Sequence, residues 1–243
     1  RVKLTYRYPM NVVMSMALSL IIIGGFLGAG RFISPGNVSG EALNQIVLGY
    51  FCWMFSLGIT SSVSEDIGEE SKLGCFENIV CSVYPLWLIY LIRIVVNSFY
   101  YLISSLIPML LLVYVYDLSL KFYYEVLTYL LCIFLTGIGI SFLLGSIAIL
   151  SKKVVSGLAL VQLVIIAIFI YPFESLEWIH HLIPFAGSII ELKNITSPSF
   201  DSANYELSIA LQLVSSAVYC FLGITLFKSA TNYAKKRALL SSH

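Results

Sequence analysis

The stretch from Ser64 to Pro85, SEDIGEESKLGCFENIVCSVYP, holds five of the thirteen acids of the chain: Glu65, Asp66, Glu69, Glu70 and Glu77. Carboxylates at this density can hold a cation, move a proton or grip a basic protein surface. On a helix from Ser71 to Tyr84, the apolar residues Leu73, Phe76, Val80 and Val83 fall at i, i+3, i+7 and i+10, which is one stripe. Glu70, Lys72 and Glu77 lie off that stripe. The spacing predicts an amphipathic helix lying along a membrane surface, with Pro85 at the first turn of the element that follows. Surface helices on an anionic leaflet normally carry a Lys- and Arg-rich polar face. This one sets one Lys against five acids, so a protein partner with a basic groove explains it better than a plain connector, a metal site or a proton site.

The remaining chemistry-bearing residues form incomplete sets. Gly139-Ile140-Ser141 matches the GxS nucleophile motif of six-span intramembrane serine proteases, but His180, His181 and His243 all fall outside the apolar runs. A Ser hydroxyl without a base is a poor nucleophile, and a mid-helix Ser commonly bonds back to its own helix. Tyr116-Asp117 mimics half of an aspartyl protease signature and no GxGD follows. Glu174, Glu177 and His181 would share a helix face, with no fourth metal ligand evident. An ATP site would need GxxxxGK[ST]; the Gly24 to Gly30 segment is followed by no Lys and suits close helix packing instead. The five cysteines include no CxxC pair and give no disulfide framework.

The elements that position these residues are set by composition. The chain is 59% hydrophobic and 11% charged, with a mean hydropathy of +0.91, too apolar for a soluble domain of this length. Six apolar runs are long enough to cross a bilayer, at roughly 11–30, 43–63, 86–114, 122–150, 155–173 and 207–228. Pro108, after Ser104 and Ser105, predicts a kink in the third. The first run is long and lacks a small-residue cleavage site, so a cleaved signal peptide is not expected.

With both termini inside, the inside set is Arg1, Lys3, Arg7, Lys72, Lys152, Lys153, Lys228, Lys235, Lys236 and Arg237, against Arg31, Lys121 and Lys193 outside. The acidic stretch is then cytosolic. Arg93 lies within the third run, close enough to its start to snorkel. A net charge of +1 gives no nucleic-acid signal. An ion-coupled carrier is the main non-enzyme rival; such carriers place acids near mid-depth, and the six runs show none there.

In layout the chain resembles the membrane-spanning permease subunits of type-2 ABC transporters. The residues that carry the resemblance are the acids Glu65, Glu69 and Glu70, then Gly74, Phe76 to Val80, and Ser82-Val83-Tyr84-Pro85 before the third run. A second patch, YPFESLEWIHHLIPFAGSIIEL, has Pro172, Trp178 and Pro184 in the order of that family's external segment between spans five and six. The resemblance implies an all-α integral membrane protein, one domain over 1–243, with six transmembrane helices. It also implies a cytosolic coupling helix at about 65–84 and short external helices between spans five and six.

By the same resemblance the chain is the transmembrane subunit of an ABC exporter in the cell membrane, the inner membrane of a bacterium. It pairs with a second permease subunit, identical or similar, and with ATP-binding subunits that carry ATP and Mg; it holds no cofactor and is no enzyme itself. Leu73, Phe76 and Val80 would hold the coupling helix on the spans, while Glu69, Glu70 and Glu77 meet the partner. The pathway would be lined by Phe51, Phe55, Gln162 and Phe169, for amphipathic cargo such as a drug, a lipid-like molecule or a hydrophobic peptide.

Overall fold

A computed structural model of the chain describes residues 40–117, 124–150, 182–195 and 205–236, together with 14, 21, 24, 162–165, 167 and 180. Regular structure among them is helical, without strands: α1 (Gly40–Lys72), α2 (Phe76–Val80), α3 (Leu86–Val115), α4 (Tyr124–Leu150), α5 (Ala186–Ile195) and α6 (Tyr205–Lys236). Four of these, over Leu43–Lys72, Leu86–Val115, Val126–Leu150 and Glu206–Lys236, are long and apolar enough to cross a membrane. They coincide with the second, third, fourth and sixth predicted runs. The first and fifth runs, 11–30 and 155–173, lie almost wholly outside the described residues, as do Pro172 and the Glu174, Glu177 and His181 set.

Two helices run further than their apolar residues alone dictate. α1 has 33 residues, about 50 Å at ~1.5 Å per residue, against a hydrocarbon core of about 30 Å. Ser64 to Lys72 forms the last turns of α1, not the start of a separate helix. α6 has 32 residues and carries on past Lys228 to Lys236. α3 continues through Pro108, which is buried inside it.

Why α1 stops where it does is visible in its last hydrogen bonds. Gly74 sits at φ 68, the left-handed region that glycine enters without steric cost. The Cys75 amide donates to the Glu70 carbonyl at 3.0 Å and the Gly74 amide to the Ser71 carbonyl at 3.2 Å. Those are the two bonds of a Schellman termination. The continuous helix expected from Ser71 to Tyr84 is thus broken into the last turn of α1, the Gly74 turn and the five-residue α2. Pro85 then caps α3 with extended backbone (ψ 135).

α1 and α4 form the centre of the bundle. α1 packs on α3 and α4, α4 packs along α6, and α5 rests on α4, α1 and α6. Tyr90, Phe142 and Phe227 join α3, α4 and α6 through ring contacts at 5.9 and 5.1 Å. Ser141 is fully buried and accepts the Val63 amide at 3.1 Å, tying α4 to α1. Tyr219 donates to the Leu182 carbonyl and Ser208 to Glu191, both at 2.6 Å, so α6 holds both the approach to α5 and its middle.

The α4–α6 crossing depends on absent side chains. A Cβ at Gly223 would run into the backbone of Gly139, and one at Gly139 into the Tyr219 carbonyl. Small residues let membrane helices approach this closely. Gly139→Val or Gly223→Val is expected to cost about 1–3 kcal/mol, the usual penalty of overpacking. Gly68→Ala, where a Cβ meets nothing within 4 Å, is the control and should be neutral or slightly stabilising. Unfolding of the solubilised chain in SDS checks this; a wild-type midpoint for both valine variants would contradict the close crossing.

Candidate functional site

The acidic end of α1, the Gly74 turn, α2 and the start of α3 make one knuckle at one end of the bundle. Inside it, Glu70 projects from the last turns of α1 toward α3. Tyr90 and Arg93, three residues apart and so on one face of α3, meet it there. The Tyr90 hydroxyl donates to Glu70 Oε2 at 2.5 Å. The Arg93 guanidinium pairs with the other oxygen, Oε1, and lies 5.4 Å from the Tyr90 ring centroid. Asp66, one turn earlier on α1 and only 8% exposed, adds a second negative charge acting on Arg93.

This changes two sequence expectations. Glu70, expected to face a partner, is 13% exposed and has both carboxylate oxygens committed to α3. Arg93, expected to snorkel outward, instead has a carboxylate from the neighbouring helix. An Arg near the membrane boundary loses hydration, so an acid within reach on the facing helix is the better partner. Charge-assisted bonds of this kind are shorter and stronger than neutral ones.

The predicted apolar stripe survives only in its middle. Phe76 is 1% exposed and is part of the core, with Ile79 and Val80 packed beside it. Leu73 and Val83 are 75% and 98% exposed, so neither anchors the segment to the spans. The reason is the Gly74 turn, which rotates Leu73 out of register with Phe76. Glu69 and Glu77 are exposed on the knuckle, Glu65 is half-buried, and Leu73 and Tyr84 lie near them in sequence and are also exposed. The outer surface of the knuckle is therefore acidic with interspersed apolar side chains.

The expected pathway residues are described only in part. Phe51 and Phe55 are each 3% exposed and stack on one another at 6.4 Å within the core. Gln162 is exposed on a short described helical piece, and Phe169 lies outside the described residues.

Sequence reading missed two features here. The link of Glu70 to Tyr90 and Arg93 was signalled by an Arg in an apolar run with acids at the end of the preceding run. The second is Lys228 of α6, whose ammonium lies 4.2 Å from the ring centroid of Trp87 in the first turn of α3. The chain matches no family model, no curated protein and no solved structure.

Proposed function

We propose that the chain is the membrane subunit of an ATP-driven exporter, worked by a separate ATP-binding subunit that docks on the acidic knuckle. One observation carries this reading: the knuckle presents Glu69 and Glu77 outward while being fastened inward at two points. Phe76 is buried in the core, and Glu70 bonds Tyr90 and Arg93 of α3. A force applied to the knuckle would move the boundary ends of α1 and α3 together rather than bend a loose loop. α1 then carries the displacement to α4, its other main neighbour. In this reading the knuckle is cytosolic, a second permease subunit completes the pathway, and ATP and Mg stay on the partner. Cargo is amphipathic, in keeping with the apolar spans.

Charge reversal on the outer surface tests the docking step. Glu69→Lys combined with Glu77→Lys should lower ATP-driven export by about tenfold or more, since like charges placed across an interface cost several kcal/mol. Membrane insertion and unfolding midpoint should stay unchanged. Export at the wild-type rate would overturn the docking role.

A second reading has one observation in its favour. Asp66 is a buried acid within a membrane-spanning helix, next to an arginine, and acids in such positions mark proton or ion relays in carriers. A carrier would run on an ion gradient without any ATPase.

A further inference from the structure

Charge at the knuckle end of the bundle is sorted by helix, apart from Lys72 in the last turn of α1. The acids Glu65, Asp66, Glu69, Glu70 and Glu77 belong to α1 and α2, whereas α6 ends in Lys228, Lys235 and Lys236. All three lysines are exposed. Arg93 is satisfied by Glu70, but no carboxylate pairs with the α6 lysines among the described residues.

The lysines continue an exposed line along α6. Val214, Phe221, Lys228 and Lys235 are seven residues apart, and a seven-residue step drifts only about 20° around a helix. All four therefore share one face, with about 10 Å between successive members. Val214 and Phe221 are 64% and 68% exposed. The face reads apolar, apolar, basic, basic from the middle of the helix to its end.

Trp87 stands beside this face from α3, with the Lys228 ammonium over its ring at 4.2 Å. An indole at the end of an apolar span sits at headgroup level, and the ring contact keeps the ammonium at that depth instead of letting it extend into water. An ammonium has three N–H donors, so those turned away from the ring remain for an oxygen ligand. The surrounding helix surfaces are open: only 17% of the apolar window of α6 and 28% of that of α3 are buried, against 67% for α1.

We infer that the Trp87–Lys228 face of α6 binds an anionic phospholipid, its phosphodiester at Lys228 with Lys235 beyond, and its acyl chains along Phe221 and Val214. The ligand must be amphipathic, because the face is. A soluble phosphate would use the lysines and leave Phe221 without a role, and a zwitterionic lipid offers no net charge to the lysines. The inference is independent of the exporter reading: it requires neither an ATPase nor a particular cargo.

Quenching of tryptophan fluorescence by brominated lipid tests it in vesicles. The chain is reconstituted in phosphatidylcholine with a minor share of brominated phosphatidylglycerol or, separately, of brominated phosphatidylcholine. The signal of Trp87 is taken as the difference from Trp87→Phe. Brominated phosphatidylglycerol is expected to occupy the site about fivefold more readily than brominated phosphatidylcholine, the factor that the surface attraction of about one lysine supplies. Lys228→Gln should bring the ratio near one, and Lys228→Arg should keep it.

Lys235→Gln, at an exposed position at the end of the helix, should lower the ratio partway. It also gives a readout should Lys228→Gln fail to reconstitute. Equal quenching by the two lipids in the wild type, or an unchanged ratio in Lys235→Gln and Lys228→Gln, would overturn the site. Loss of the preference on adding millimolar glycerol phosphate would also overturn it, since the face would then be a soluble-phosphate site. Persistence of the preference under that competitor supports the lipid.

Discussion

Arg93→Met should loosen the knuckle and lower the unfolding free energy of the solubilised chain by about 1–3 kcal/mol. The loss comes less from the missing attraction than from what remains: a Glu70 carboxylate that is 13% exposed, bonded to Tyr90 alone, one turn from the buried Asp66. The full penalty of breaking a buried pair, about 3–5 kcal/mol, does not apply, because the Arg93 side chain is 36% exposed and solvent screens it in part. Glu70→Gln should cost less, since an amide oxygen can still accept from Tyr90 or Arg93. A double-mutant cycle on Glu70→Gln and Arg93→Met should give a coupling of about 1 kcal/mol or more. Additive losses in SDS unfolding would mean that the two helices are held together by packing alone.

Phe76→Ala should have the larger effect on the knuckle itself. Phe76 is 1% exposed and is the one fully buried side chain of α2. Removing a buried phenyl ring costs about 3–5 kcal/mol where the site cannot collapse. Five residues cannot hold a helix in water unaided, so α2 is expected to detach rather than simply leave a cavity. Hydrogen exchange at the Ile79 and Cys81 amides, which bond to the Cys75 and Glu77 carbonyls, should rise by two orders of magnitude or more. The α1 amides up to Ile67 should stay protected. Val83→Ala, at a 98% exposed position, should leave exchange unchanged. Unaltered protection at Ile79 and Cys81 in Phe76→Ala would mean that the turn hydrogen bonds alone order this segment.

Four of the six apolar runs were legible as long helices because lipid imposes a simple rule: about 20 apolar residues without charge make a helix able to cross. Leu86–Val115 and Tyr124–Leu150 match the expected 86–114 and 122–150 almost residue for residue. The acidic stretch was harder, because two rules competed for it. Apolar spacing over Leu73, Phe76, Val80 and Val83 pointed to one helix, while Gly74, two residues after Lys72, was a helix-stop signal. Backbone geometry decided between them, since a left-handed Gly74 closing two terminal carbonyls ends α1 whatever the apolar pattern beyond it.

Charge count was read correctly, and so was the exposure of Glu69 and Glu77, but the direction of Glu70 was not. Five acids marked the segment, but composition cannot show that Glu70 turns toward α3 while Glu69 is exposed beside it. Only the pairing of α1 with α3 shows it, since that sets Arg93 opposite Glu70. The same holds for Lys228, which reads as an orientation anchor until α6 is laid against Trp87. Phe51 and Phe55 were expected in the pathway through the family resemblance alone, and their helical spacing suits the core in which they stack.

ATP-driven transport by the assembly that co-purifies with the chain tests the exporter reading most directly. The chain is isolated in mild detergent from its own membranes, with whatever remains bound, and reconstituted in vesicles loaded with a fluorescent amphipathic dye. The account predicts a bound ATPase, dye movement that requires Mg and ATP, and loss of both ATPase retention and dye movement in the Glu69→Lys, Glu77→Lys variant. Dye or ion movement driven by a proton gradient in the purified chain alone, abolished by Asp66→Asn and indifferent to ATP, would contradict it.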